Sequence, residues 1–273
     1  VTRAFVELAS GARIAYESHG EPASKGSPMF LLLHGFTLDR RMWAPQVEAL
    51  AAHYRVVAYD ARGFGESSGP GPKPFAQCDD AAELCELLEF APVIAVGHSI
   101  GAHQMLELAL TRPDLVCGFA AVALSGLASV PFSDDLKSLF AALNATARSQ
   151  GVDAAKAMWE RADWFAVARE TPAVAAVLDQ ILHDYSGWHW LNESPSRSIK
   201  PAAATRLADL VMPALVITGG RDLPYNQRVG EALAAGLPHA RHITLSEVGH
   251  LPGLEAPAAV NAALLDLAAR CGG

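Results

Sequence analysis

The chain has 273 residues, 51% of them hydrophobic, with a formal net charge of −8 and four cysteines. That apolar share, spread along the length, excludes a disordered chain or a small disulfide scaffold and suits one large α/β domain with an insertion. The acidic balance, with no Lys/Arg cluster offering a basic face, argues against nucleic acid as a partner.

In chain order, Val1-Thr2-Arg3-Ala4-Phe5 lacks the charged-then-apolar layout of a secretory signal, and no later run has the length of a membrane span, so no membrane association and a cytoplasmic location are expected. Phe5 to Leu8 and Arg13 to Glu17 read as an antiparallel pair around Ser10-Gly11. Met29 to Leu33 is an apolar strand running into His34-Gly35-Phe36, and Met42 to Ala52 reads as a helix. Arg55 to Tyr59 is the fourth strand, followed by a turn over Asp60 to Ser67 in which Asp60 and Arg62 hold the backbone. Gly63-x-Gly65 is too short for a dinucleotide site. Asp79 to Phe90 reads as an amphipathic helix, with Cys78 and Cys85 as buried thiols on one face. Cys117 and Cys271, like these two, have no metal-ligand spacing and no reason to pair.

Gly97-His98-Ser99-Ile100-Gly101 follows the apolar run Val93 to Val96 and precedes Ala102 to Leu110, which reads as a helix. A G-x-S-x-G between a strand and a helix makes a sharp, strained turn that lifts the serine hydroxyl clear of the sheet. Ser99 is therefore the candidate nucleophile. The backbone N–H of Ile100 and of Phe36, the latter aimed by Gly35, are candidate donors to an oxyanion. His98 supports the turn from outside the chemistry, His34 hydrogen-bonds within the oxyanion loop, and His103 packs.

Phe119 to Leu124 is the sixth strand. The strand–helix alternation then breaks from about Gly126 to Lys200, where only helices are expected: Ser133-Asp134-Asp135 caps one running to Ser149, Gly151 to Arg161 another, and Thr171-Pro172 starts a third over Ala173 to Tyr185. Trp159, Trp164, Trp188 and Trp190 fall in this stretch as candidate pocket residues. Packing onto the main domain accounts for most of them, and Gly187-Trp188-His189-Trp190 is the preferred pocket wall. Ala214 to Thr218 and His242 to Leu245 are the last strands. Asp222 and His250 lie just past their ends, the edge at which open α/β sheets carry their sites. A serine needs a base and a carboxylate to orient the base. His250 takes the first role and Asp222 the second, with Glu247 as a rival too close to His250 in sequence for good geometry. The ten histidines include no H-E-x-x-H pair, so neither metal nor cofactor is expected.

These motifs resemble, in order, those of the α/β-hydrolase superfamily: the loop His34-Gly35-Phe36, the turn Asp60 to Ser67, the elbow Gly97 to Gly101, the loop Gly219-Gly220-Arg221-Asp222 and Val248-Gly249-His250. The resemblance covers nearly the whole chain and is greatest to capped bacterial esterases, lactonases and cofactor-free haloperoxidase-like enzymes. It implies a mostly parallel twisted sheet with helices on both faces, a core of residues 1–126 and 201–273, and a helical cap of residues 127–200 over the nucleophile. Ala102, where a second glycine is common, departs little in size. The implied activity is a serine hydrolase acting on a small or medium carboxylic ester or lactone. Alternatives on the same fold are carbon–carbon bond cleavage, perhydrolysis, cofactor-independent oxygenation and slow-turnover binding of a small molecule. A base that must be neutral predicts activity falling as pH drops through roughly 6 to 7.

Overall fold

The computed structural model describes residues 2–22, 24 and 26–272. Eight strands form one sheet: β1 (Thr2–Glu7), β2 (Arg13–His19), β3 (Met29–Leu33), β4 (Val56–Tyr59), β5 (Val93–His98), β6 (Val116–Val122), β7 (Ala214–Gly219) and β8 (Ala240–Leu245). Their order is β1-β2-β4-β3-β5-β6-β7-β8. β1 and β2 pair antiparallel across a turn where Gly11 takes φ +79°, and β2 pairs antiparallel with β4; every pair beyond is parallel. All residues of β3, β4 and β5 are buried, as strands covered on both faces require, while edge strand β8 is half exposed.

The helices are α1 (Ala44–Leu50), α2 (Gln77–Leu87), α3 (Ile100–Thr111), α4 (Asp134–Gln150), α5 (Val152–Trp159), α6 (Pro172–Asp184), α7 (Trp188–Leu191), α8 (Pro224–Gly236), α9 (Pro252–Glu255) and α10 (Pro257–Cys271). α10 packs on α1, β6 and β7, whereas α3 packs on α2, β5 and β6. None is long and apolar enough to cross a membrane.

Three local differences from the sequence reading have physical causes. The helix expected over Met42 to Ala52 divides into a 3-10 turn, Arg40–Trp43, and α1, because Pro45 fits only the first turn of a new helix. β6 begins at Val116 rather than Phe119, with Gly118 inside the strand, where a Cβ would strike the Cys271 sulfur. The strand stops at Val122, since Ala123 turns the chain out with φ +50°. Between β6 and β7 the described residues form α4 to α7 and short 3-10 turns, with a single bridge from Ser196 to Phe75 and no longer strand. Ser133 caps α4 by accepting from the Leu136 N–H at 3.4 Å; Thr171 precedes Pro172 of α6 without any such side-chain bond.

Candidate active site

Ser99 joins β5 to α3 with φ +54° and ψ −120°, a conformation that non-glycine residues rarely adopt. Its neighbours make the turn possible. A Cβ on Gly97 would collide with the Ala102 backbone, and one on Gly101 would lie 2.7 Å from the Leu33 carbonyl and closer still to that of His34. The elbow is thus pressed backbone to backbone against the loop leaving β3. Ser99 is buried, and its Oγ donates to His250 Nε2 at 3.1 Å.

His250 follows β8. Its Nδ1 donates to Asp222 Oδ2 at 2.7 Å, and Asp222 Oδ1 accepts the Leu223 N–H at 2.7 Å. A proton on Nδ1 leaves the Nε2 lone pair facing Ser99. Glu247, the rival acid, is exposed, and the His250 ring turns to Asp222 instead. Two groups hold the histidine loop. Glu255 accepts the Gly249 N–H at 2.5 Å and the Leu251 N–H at 3.0 Å, clamping the backbone on either side of His250. His98 Nε2 donates to the His250 carbonyl at 2.7 Å, and burial beside His250 keeps its imidazole well below the usual histidine range, hence neutral.

The candidate oxyanion donors lie on the two segments that touch. The N–H groups of Phe36 and Ile100 find no acceptor among the described residues; that of Ile100 is one of the unpaired donors opening α3. His34 fixes the loop, donating from Nδ1 to the Gly35 carbonyl at 2.8 Å and accepting the Ala61 N–H on Nε2 at 3.0 Å. Burial lowers its pKa, so it serves as a neutral strut. Thr37 (φ +60°) donates to the Phe36 carbonyl at 2.6 Å and accepts from Trp159 Nε1 at 2.7 Å.

Above Ser99 lies a cavity of about 330 Å³. Phe36, Leu38, Ile100, Phe132, Phe140, Trp159, Trp164 and Phe165 supply its apolar wall; Ser99, Ser125, His98, His250 and Gly126 complete it. Trp159 and Trp164, from the segment between β6 and β7, therefore line the same cavity as Ser99. Trp188 and Trp190, the preferred pocket wall in the sequence, do not line the cavity: Gly187 to Leu191 is the short helix α7, Trp190 is fully buried, and its ring meets Tyr185 edge-on at 5.0 Å. His103 packs on α3, 3.2 Å from Glu107. Cys78 and Cys85 are buried, which pushes both thiols up to about 12, and the four cysteines are free. No group of three or more His, Cys, Asp or Glu side chains gathers as metal ligands among the described residues.

Three residues at the site escaped the sequence reading: Glu255, Ser125 and Asn226. Glu255 sits in no motif. Ser125 carried one usable signal, its position just past a strand end on the edge that also holds Ser99, Asp222 and His250.

This arrangement matches a known family. The sequence pattern of the alpha/beta hydrolase family matches residues 30–263, and the chain belongs to that family. A solved thermophilic esterase from Thermogutta terrifontis is 25% identical and superposes with a TM-score of 0.81, covering 100% of both chains. The enol-lactonase from Burkholderia xenovorans LB400 is 27% identical with a TM-score of 0.77, covering 97% of this chain and 99% of its own. A relative from Enterobacter cloacae named "Putative carbamate hydrolase RutD" is 27% identical over 252 residues, 90% of this chain and 92% of its own.

Proposed function

We propose that the protein is a serine hydrolase of small or medium uncharged carboxylic esters or lactones, with α4 to α7 acting as a cap. The observation that carries this reading is the unbroken line from Ser99 Oγ to His250 Nε2 (3.1 Å) and from His250 Nδ1 to Asp222 (2.7 Å), at the foot of an apolar cavity. The esterase and lactonase likenesses support the same substrate class.

In the proposed reaction Ser99 Oγ attacks the ester carbonyl carbon as its proton passes to His250 Nε2. The oxyanion forms against the N–H groups of Ile100 and Phe36, which are in place before the charge appears. Collapse expels the alcohol, which takes the proton from His250, and leaves an acyl-enzyme. Water then attacks, its proton going to Nε2 and from there to Ser99 Oγ as the acid departs. In a lactone the leaving alcohol stays tethered to the acyl group. Carbamate cleavage would follow the same steps and is read by the same assay with a carbamate substrate.

The cavity limits the substrate. Its lining includes no Lys, Arg, Asp or Glu, so a charged acyl group would lose its hydration without gaining a partner. Six of the lining side chains carry Phe or Trp rings, which favours a planar or alicyclic acyl group.

The test is stoichiometric enzyme mixed with p-nitrophenyl acetate and butyrate, following nitrophenolate release from the first milliseconds beside Ser99→Ala. The expected result is a burst followed by turnover, both absent in Ser99→Ala. Release that survives the substitution would end the serine-hydrolase reading, and equal rates on an acyl group bearing a carboxylate would end the substrate-class reading.

A further inference from the structure

The four free cysteines are of two kinds. Cys78 and Cys85 are buried on α2, and the burial that pushes their thiols up to about 12 keeps them unreactive. Cys117 and Cys271 are half-buried and lie against each other, Cys117 near the start of β6 and Cys271 at the end of α10.

Two local features bring these sulfurs together, although nothing in their spacing along the chain does. Successive residues of a regular strand point to opposite faces, so a group lying over Gly118 would be out of reach of Cys117. Here β6 departs from regular pairing with β5. Val93 faces Val116 and Ile94 faces Gly118, which leaves Cys117 as the extra residue of a β-bulge. A bulge breaks the alternation and re-aims the side chain it carries. The Cys117 thiol donates to the Val93 carbonyl at 3.4 Å, beside the bulge. Gly118, next in the strand, lacks the Cβ that would strike Cys271 Sγ, so the last turn of α10 settles with its sulfur over the glycine. From there the Cys271 thiol donates to the Cys117 sulfur. That bond makes the two thiols unequal, lowering the pKa of Cys117 and raising that of Cys271.

We propose that Cys117 and Cys271 form a redox-active dithiol, which hydrogen peroxide converts to a disulfide that fastens the C-terminal helix α10 to β6. Cys117 is the attacking sulfur, since the thiolate is the reactive form. It takes one oxygen of the peroxide, the O–O bond breaks, and the other oxygen leaves as water once it has accepted the proton Cys117 gave up; Cys117 becomes a sulfenic acid. The Cys271 sulfur, already in contact, then attacks the Cys117 sulfur. The S–S bond forms, the S–O bond breaks, and the departing oxygen leaves as water with the Cys271 proton. Two thiols thus lose two electrons and two protons, and the peroxide takes them up as it becomes two waters. The disulfide closes a long loop that contains α4 to α10, which restricts the unfolded chain more than the folded one. It forms where β6 begins, whereas Ser99, Asp222 and His250 all lie past strand ends, so it acts on the attachment of α10 and leaves the triad alone.

The test treats the intact protein with a few equivalents of hydrogen peroxide. Thiols counted after denaturation should fall from four to two, and an unreduced digest should show the peptides of Cys117 and Cys271 joined, with Cys78 and Cys85 still free. Cys271→Ser should stop at the sulfenic acid, trapped on Cys117 by dimedone, and Cys117→Ser should keep all its remaining thiols. The oxidised wild-type protein should melt about 5 °C above the reduced one, a gain that dithiothreitol removes and that peroxide does not give to Cys271→Ser. Survival of all four thiols overturns the proposal, and so does a disulfide that includes Cys78 or Cys85 or that joins two chains. An unchanged midpoint overturns the fastening of α10. None of these readouts passes through Ser99, so the outcome is separate from that of the serine-hydrolase reading.

Discussion

At the scale of single residues, the backbone decides what the side chains can do. Asp222 shows this most directly, because one of its oxygens is already claimed by the Leu223 N–H at 2.7 Å. In Asp222→Asn that N–H retains the amide oxygen and presents the NH2 group to His250 Nδ1. Two donors then face each other, and the imidazole must move its proton to Nε2, where it can no longer accept from Ser99. Turnover of p-nitrophenyl butyrate should fall by about 10⁴-fold while the thermal midpoint stays near that of the wild-type protein. Turnover within tenfold of wild type would remove Asp222 from the proposed triad. Glu255 belongs to the same logic at one remove: its two backbone contacts flank His250 and fix the loop rather than the ring.

At the scale of elements, Trp159 and Trp164 tie the helices between β6 and β7 to the sheet side of the molecule. Each buries its ring in the cavity wall and spends its one N–H on a residue outside that segment, Trp159 on Thr37 and Trp164 on Asn226. Trp159→Phe keeps most of the ring and deletes that donor, leaving Thr37 Oγ1 short of a partner in a buried site. It should cost about 1 kcal/mol in a urea titration, and Trp188→Phe, on a partly exposed residue with no such bond, less than half of that. Equal costs would mean that the indole N–H of Trp159 contributes nothing to the attachment. These anchors also mark where the sequence stops being legible. The strands, the elbow and the loops bearing Asp222 and His250 can be read directly, since each is a local pattern of apolar run, glycine and polar residue. Which tryptophans wall the cavity depends on contacts such as Trp159 with Thr37, 122 positions apart. No window of neighbouring residues contains that information, and the polar character of Gly187 to Trp190 pointed to the wrong pair. Asn226 was hidden for the same reason: an asparagine in a helix has no pattern until Trp164 and Ser125 are brought to it.

For the whole molecule, several buried histidines set the acid limit of stability. Burial lowers the pKa of His34 and His98, and holds His189, stacked on Phe64 at 4.3 Å between centroids, at about 4. A folded pKa below the unfolded value means that the unfolded chain takes up protons first as pH falls. Stability is therefore full above about 6.5 and declines below it, for His189 until about pH 4. Asp80, pushed up to about 6 by burial, acts in the opposite sense and offsets part of the decline. His189→Phe keeps a ring on Phe64 and removes one titrating group, so its urea midpoint should fall less steeply between pH 6.5 and 4.5, by the order of 2 kcal/mol in total. Parallel curves for variant and wild type would mean that His189 does not titrate differently on folding. The two tryptophan anchors bear on traffic through the molecule as well. Moving this segment away from the sheet would break both attachments, the one to Thr37 in the loop after β3 and the one to Asn226 in α8. Ile100 and Phe132 both line the cavity, Phe132 partly exposed and Ile100 39% exposed. The cavity wall thus reaches solvent at Ile100 while both attachments are intact.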